Sequence, residues 1–268
     1  MKLLSLQEIK QIEYGILKMF DSFCKENNIR YFLSNGTLLG AVKYGGFIPW
    51  DDDVDVLVPR EDYNKLLLLF EDSAQYKLFA FERNQAYRFP FAKLCDMTTR
   101  KEESNIDNGV LLGVDIDIFP LDAWGNCISK AKREVGSINR KMFYLGLAKL
   151  KKPDSVNPIK RTVKGVVMVC CKMVGSKHFV QAIIKKSNRV NATGSVFVGC
   201  KSWCIYGERE IIPAEVFQDS VEVPFEDGRF PAPVGYDTYL RSLYGDYEQD
   251  PPPEKQKTHH SFTAYGMW

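Results

Sequence analysis

Apolar residues return every three or four positions over the first quarter-hundred residues. Leu6, Ile9, Ile12, Ile16, Phe20 and Phe23 fall on one side of a predicted helix. Ser5-Leu6-Gln7-Glu8 reads as its capping box, and the helix should end near Asn27-Asn28. Ile29 to Leu33 reads as a short strand, followed by a short helical stretch over Leu38 to Lys43. From Asp53 to Val58 polar and apolar positions alternate and then run apolar, as in a half-buried strand. Pro59 with Glu61-Asp62 opens a helix that passes through Leu66 to Phe70. Further strands are predicted at Tyr76 to Phe81 and Phe89 to Cys95, joined by a polar turn around Asn84, and at Val114 to Pro120. Helical spacing marks Lys141 to Lys151, Val163 to Val174 and Phe179 to Ile184. Strands return at Ile211 to Pro213 and Val221 to Phe225, where Glu226-Asp227-Gly228-Arg229 is a hairpin turn. Tyr236 to Tyr244 reads as a helix with Gly245 as its left-handed cap. The tail beyond Pro251 stays aromatic to Trp268, so it should pack back onto the body.

Composition adds little until charge is located. The 268 residues are 45% apolar and 26% charged, with a net charge of +2, as in an ordinary globular chain with room for one or two domains. Met1 to Asn28 is amphipathic and carries acids, unlike a signal peptide, and no apolar run reaches the ~18–20 residues of a membrane span. Seven scattered cysteines fit reduced thiols and a cytoplasmic location. Cys200 and Cys204, with three histidines and no CxxC, argue against a zinc site. Between Ser129 and Arg189, however, sixteen lysines and arginines face two acids, so the remainder is strongly acidic. The chain is therefore divided into a core over 1–128, a basic helical insertion over 129–190, and strands, helix and tail over 191–268 that complete the core. A basic amphipathic helix of this kind suits an anionic membrane surface or polymer, or a solvated cap. No nucleic-acid partner is expected.

Candidate chemistry concentrates in Gly36 to Val56, GTLLGAVKYGGFIPWDDDVDV. At period two, Asp53 and Asp55 share a face while Val54 and Val56 enter the core. Two carboxylates side by side repel unless a cation lies between them, and magnesium takes one or two carboxylates plus substrate phosphates. Asp51 adds a third ligand if the extended geometry begins there, with Asp52 facing away. Upstream, the Gly36-Thr37 step opens a helix whose free N–H groups and hydroxyl suit a phosphate, and Lys43 adds positive charge. Asp115 and Asp117 share a face on the second acidic strand and offer a further carboxylate. Lys93, set among apolar neighbours in Phe91-Ala92-Lys93, is either a strand-edge lysine or a phosphate contact.

These residues resemble the LicD family, bacterial phosphocholine transferases related to fukutin and fukutin-related protein. The likeness runs through Gly36–Val56, Pro59–Tyr63, Phe91–Lys93, Asp115–Asp122, Val221–Phe225, Tyr236–Leu240, Leu243–Tyr247 and His259-His260. It implies an α+β, nucleotidyltransferase-like fold: a mixed sheet with flanking helices, here carrying a basic helical insertion. It also implies a metal-dependent transferase moving a phospho-alcohol, such as phosphocholine or ribitol phosphate, from a CDP-linked donor to a glycan hydroxyl. In that reading Asp53, Asp55 and Asp117 are catalytic, and Asp51, Asp53, Asp55 and Asp117 hold magnesium (or manganese). Gly36, Thr37, Lys43, Trp50, Lys93, His259 and His260 bind substrate. Lys43-Tyr44 stands where members often carry Arg-His, and Asp115 where an apolar residue is usual. The acceptor would be a glycan or lipid-linked glycan, reached by a cytoplasmic enzyme with peripheral contact to an anionic membrane.

The same metal site would serve a nucleotidyltransferase, which attaches a nucleotide and releases pyrophosphate. A DxD glycosyltransferase would need a nucleotide-binding half before the motif, and only 52 residues precede Asp53. A degenerate glycan-binding scaffold is the non-enzyme alternative, although every acid is present.

Overall fold

After β1 (Lys2–Leu3), the Ser5 hydroxyl accepts from the Glu8 N–H, and the Glu8 carboxylate accepts from the Ser5 N–H at 2.9 Å. This closed box starts α1 (Leu6–Glu26), as the sequence predicts. A computed structural model describes residues 1–189, 194–258 and 262–268. Ile9, Ile16, Leu17, Phe20 and Cys24 form the buried stripe of α1, whereas Leu6 at the helix entry lies exposed.

The strand predicted over Ile29 to Leu33 is regular only at β2 (Phe32–Leu33). Next, α2 spans Asn35–Tyr44, three residues earlier than its apolar pattern, so Gly36 and Thr37 lie inside its first turn. The segment 48–54 then leads into β3 (Asp55–Pro59) and α3 (Arg60–Leu69). A short β4 (Tyr76–Phe79) precedes two long strands, β5 (Ala92–Glu103) and β6 (Leu112–Gly125). Both extend well past their predicted apolar runs. Cross-strand hydrogen bonds propagate regardless of side chain, so pairing continues where periodicity has faded.

The basic segment folds as α4 (Ile128–Lys149), α5 (Pro158–Val174) and α6 (Ser176–Ser187). Asn157 caps α5 by accepting from the Ile159 and Lys160 amides, and Pro158 occupies its first turn. Ala131, Val135, Ile138, Val180 and Ile183 pack around Trp124 of β6 as a satellite core. Lys201 is fully buried and ties this layer to the sheet, donating to the Ala123 carbonyl (2.9 Å) and to Glu134 (3.2 Å).

The chain returns through β7 (Phe197–Gly199), β8 (Ile212–Pro213), and the β9 (Ser220–Phe225) and β10 (Gly228–Pro233) hairpin. Glu226-Asp227 makes its two-residue turn, with Glu226 in the left-handed region at φ 56°. Helix α7 (Tyr236–Tyr244) stops at Gly245. That glycine has φ 76° and ψ −124°, so it is not the left-handed helical cap expected; only glycine enters this region easily. The aromatic tail does pack back, as β11 (Phe262–Gly266).

Among the described residues, nine strands form one mixed sheet with the order β1-β11-β5-β6-β3-β2, onto which β4, β7 and β8 also pair. Among the described residues only β3 and β6 pair in parallel, with Asp55 opposite Asp117. On the other side of β6, antiparallel β5 sets Lys93 opposite Asp117 and Cys95 opposite Asp115. With α1 and the other helices packed against this sheet, the fold is α+β.

Two glycines separate close approach from spare room. A Cβ on Gly40 of α2 would lie 2.4 Å from the Gly46 carbonyl oxygen and 3.0 Å from the Ile48 amide, whereas Gly15 of α1 has nothing within 4 Å. Gly40→Ala should cost ~1–3 kcal/mol by displacing the loop ahead of the aspartates. Gly15→Ala should stabilise by ~0.5–1 kcal/mol through helix propensity alone. Urea unfolding of both variants checks this contrast, and equal effects would mean that the α2–loop contact is not tight.

Candidate active site

A cavity of about 730 Å³ opens between the first turn of α2, the segment 48–55 and the end of α7. Asp51, Asp53 and Asp55 reach its wall together with Asn35, Gly36, Lys43 and Trp50. Val54 and Val56 are fully buried, so the strand presents its faces as the alternation predicts. Thr37, Lys93 and Asp117 do not reach this wall.

The carboxylates are crowded. One oxygen each from Asp51, Asp52 and Asp53 lies within 4.8 Å of the others. Asp52 thus stands with its neighbours rather than facing away, because the chain reaches regular extension only at Asp55. Burial and then Asp53 push Asp51 up to about 7. Asp55 is raised well above the usual carboxylate range by burial, followed by Asp53 and Asp117. Hard oxygen ligands that resist losing their last protons fit a divalent cation, which would favour their charged forms. The cradle is also shaped for it. A Cβ on Gly36 would sit 2.5 Å from Asp51 Oδ2, so only glycine leaves Asp51 its place.

The first turn of α2 gives Gly36 and Thr37 different work. Ser34, the N-cap, makes no side-chain cap, and its hydroxyl is buried without a partner. The Asn35 N–H donates to the Tyr239 hydroxyl at 3.4 Å, so the Gly36 N–H at the cavity wall is the one of that turn suited to an anion. Thr37 instead turns inward, 3% exposed, and accepts from the Asp55 N–H at 2.8 Å, fixing the glycine turn to the start of β3. Asn35 takes φ 46°, a left-handed backbone that asparagine tolerates. Tyr239 of α7 donates to its Oδ1 at 3.0 Å, and a hydrogen bond from Asn35 partly offsets the upward push on Asp55.

Lys93 is neither a strand-edge lysine nor open to substrate. It is buried in the middle of the sheet and donates to Asp115 (2.5 Å) and Asp117. Lys101 donates to the other Asp115 oxygen at 2.9 Å. Against the burial that would raise it, Lys101 and Lys93 hold Asp115 below the usual carboxylate range. Asp117 stays raised, because its burial outweighs Lys93. Asp115 is thus a structural ion-pair partner, and Asp117 is the acid left beside Asp55.

Several wall and support residues were missed because they lie far from the motif in sequence. Tyr206 and Tyr244 line the cavity with rings 5.3 Å apart and hydroxyls 2.9 Å apart. Tyr247 joins them, and opposite stand Tyr44 and Trp50, edge to face at 6.3 Å. Lys43 does reach the cavity, where it pairs with Asp250 at 2.6 Å, and Tyr44 donates to the same carboxylate. Lys10 of α1 donates to the Ile48 and Pro49 carbonyls (2.9 and 3.0 Å), holding the segment that delivers the aspartates. Arg60 forks onto Asp122 at 2.7 and 2.8 Å, binding the end of β3 to β6. Tyr244 ends a stretch whose helical spacing was legible and Tyr247 lies just past it, but nothing local marks them as cavity residues. His259 and His260 lie outside the described residues.

A mixed sheet that sets an acidic pair beside a third acid, with an uncapped Gly-Thr helix start opposite, defines a nucleotidyltransferase-type domain. Residues 28–139 match the LicD/FKTN/FKRP nucleotidyltransferase domain. Over 99% of both chains it is 28% identical to the lipopolysaccharide cholinephosphotransferase LicD of Haemophilus influenzae. It is 53% identical over 34 residues, 13% of this chain and 7% of the other, to the human ribitol 5-phosphate transferase FKRP. An uncharacterised protein of Rickettsia prowazekii matches at 45% over 49 residues, 18% of each chain.

The crowding has a sign that pH can read. In metal-free protein, Asp51 keeps in the fold a proton that the unfolded chain releases near 3.8, and gives it up only at about 7. Between those values the native state binds more protons, so stability falls as pH rises. Asp51→Asn should flatten that fall. Urea unfolding at pH 5 and pH 8 with a chelator present checks it, and an unchanged pH dependence in the variant would exclude Asp51 as the source.

Proposed function

We propose that the protein is a metal-dependent phosphotransferase that moves phosphocholine or a similar phospho-alcohol from a CDP-linked donor to a glycan hydroxyl, releasing CMP. The observation that carries this reading is a single cavity with carboxylates at one wall and aromatic rings around it. Magnesium (or manganese), held by Asp51, Asp53 and Asp55 with Asp117 beside them, would supply positive charge to the donor diphosphate. The open N–H of Gly36 and the Lys43 ammonium bind the same phosphates from the other side. Tyr44, Trp50, Tyr206, Tyr244 and Tyr247 present ring faces and edges suited to a nucleobase and to a quaternary ammonium. That chemistry favours choline over a polyol, in keeping with the cholinephosphotransferase that the chain resembles along its whole length. An acceptor hydroxyl attacks the phosphorus bearing the alcohol, the bond to the CMP oxygen breaks, and the hydroxyl proton passes to a carboxylate. Asp117, which does not reach the cavity wall, supports Asp55 from the neighbouring strand, and the proton goes to one of the wall carboxylates.

Asp53→Asn and Asp55→Asn should each reduce transfer to about one per cent or less, a loss of ~2.7 kcal/mol or more of barrier lowering. Without metal each should be at least as stable as wild type, because a neutral amide removes repulsion. Assays with CDP-choline, magnesium and lipopolysaccharide acceptors, paired with thermal melts, read both outcomes. Release of pyrophosphate rather than CMP would mark a nucleotidyltransferase instead.

The place of action rests on α5. Ile159, Val163, Val166 and Met173 are exposed along one side of this helix, flanked by Lys160, Arg161, Lys164 and Lys172. Among the described residues no single helix is long and apolar enough to cross a membrane; α5 and α6 together are bent by 72°. We assign this face to an anionic lipid surface, each engaged basic residue contributing ~1 kcal/mol. Vesicle co-sedimentation should show binding to anionic but not neutral lipid, and its loss at high salt. Failure to bind either vesicle would leave the helices as a solvated cap.

A further inference from the structure

Lys149 is the last residue of α4 and is 6% exposed. Its ammonium rests 3.0 Å from the centre of the Phe89 ring, and among the described residues no oxygen accepts from it. A buried ammonium without an acceptor is costly, which is why burial, with Lys93 and Arg88 adding and Glu103 and Asp107 opposing, pushes it down to about 7. It borders a second cavity of about 330 Å³, separate from the carboxylate wall. Arg88, Lys151 and Lys172 line the same space, and Asp107 is the acid among them. Asp107 is already engaged by Arg88 and by the Gly109 N–H at 2.9 Å. The first turn of α6 also opens here through Gly175 and Ser176, and no side chain caps it.

We propose that this cavity is a second anion site, which takes a phosphomonoester between Lys149, Arg88, Lys172 and the first turn of α6. The parts are complementary. The helix start offers N–H donors, Lys149 offers an ammonium lacking an oxygen, and the flanking cations outnumber the one acid. The volume exceeds what a phosphate fills, leaving room for the group that bears it. The anion could arrive as a soluble phosphate or sugar phosphate, or as the phosphate of a lipid-linked molecule brought to the basic helices. Phe89 also stands 5.5 Å from the Lys93 ammonium, so the site lies one aromatic ring from the residue that holds Asp117.

The test requires no turnover, so it stands or falls apart from the transferase reading. Full-length protein is titrated calorimetrically with inorganic phosphate, a chelator keeping metal out of the carboxylate cavity. Wild type should bind saturably, Lys149→Met should bind about tenfold more weakly or worse, and Lys18→Ala, at an exposed position of α1, should bind as wild type does. Lys149→Met keeps the buried stem and removes an unpartnered charge, so it should fold; Lys172→Ala, at an exposed position, is the second variant and should also weaken binding. Vesicles of phosphatidic acid and of phosphatidylglycerol, matched in charge, locate the source. A preference for phosphatidic acid that Lys149→Met abolishes identifies a lipid phosphate, and phosphate binding without that preference identifies a soluble one. Equal affinity for phosphate in wild type and both lysine variants, or binding to neither phosphate nor phosphatidic acid, overturns the proposal.

Discussion

Five carboxylates, on two neighbouring strands and the segment that enters one of them, can share a sheet face only if positive charge is set among them. The chain supplies some of it. Lys93 and Lys101 both rise from β5, and together they occupy Asp115 and one side of Asp117. Among the described residues no ion pair reaches Asp51 or Asp55, whose carboxyls burial and mutual repulsion drive upward. The sheet therefore divides its acids into those that lysines neutralise to hold the fold and those that burial and repulsion raise. The division follows from register: β5 borders β6 but not β3, so its lysines serve the second acidic strand and leave the first alone.

Behind this face, α1 adds a further acid that belongs to neither half. Glu13 is fully buried, and neither of its oxygens has a hydrogen-bond partner. Burial raises it well above the usual carboxylate range, against the pull of Lys101, and Asp53 and Asp115 push the same way. An ionised carboxylate at this position would add to the crowding. Its position on the helix stripe, between Ile9 and Ile16, explains how an acid comes to face the sheet at all.

The legible part of the site was the part written locally. Period-two alternation placed Asp53 and Asp55 on one side and Val54 and Val56 on the other, and a single run of residues supplied glycine turn, lysine and acids. Asp52 was misplaced because the alternation was extended back to Asp51, four residues before the strand begins. Lys93 was misread because its meaning depends on the strand opposite: only pairing with Asp117 turns a lysine among aromatics into a buried counter-ion. Tyr206, Tyr244 and Tyr247 lie some two hundred residues from Gly36 and carry no local mark of the cavity they line. The starts of β5 and β6 were visible as apolar runs, but their far ends are polar and held by the ladder, which leaves no periodic trace.

The place of β11 bears on how the molecule is made. Residues 262–266 lie between β5 and β1, so Lys2 and Leu3 pair not with an early strand but with Tyr265 and Gly266. As a ribosome releases the chain, β1 has no edge to join until residues 262–266 emerge. The helix that follows it can dock sooner, since Ile16, Leu17 and Phe20 meet strands already synthesised. One edge of the sheet thus stays open until β11 has been made, and it is closed by β1 and β11 meeting each other.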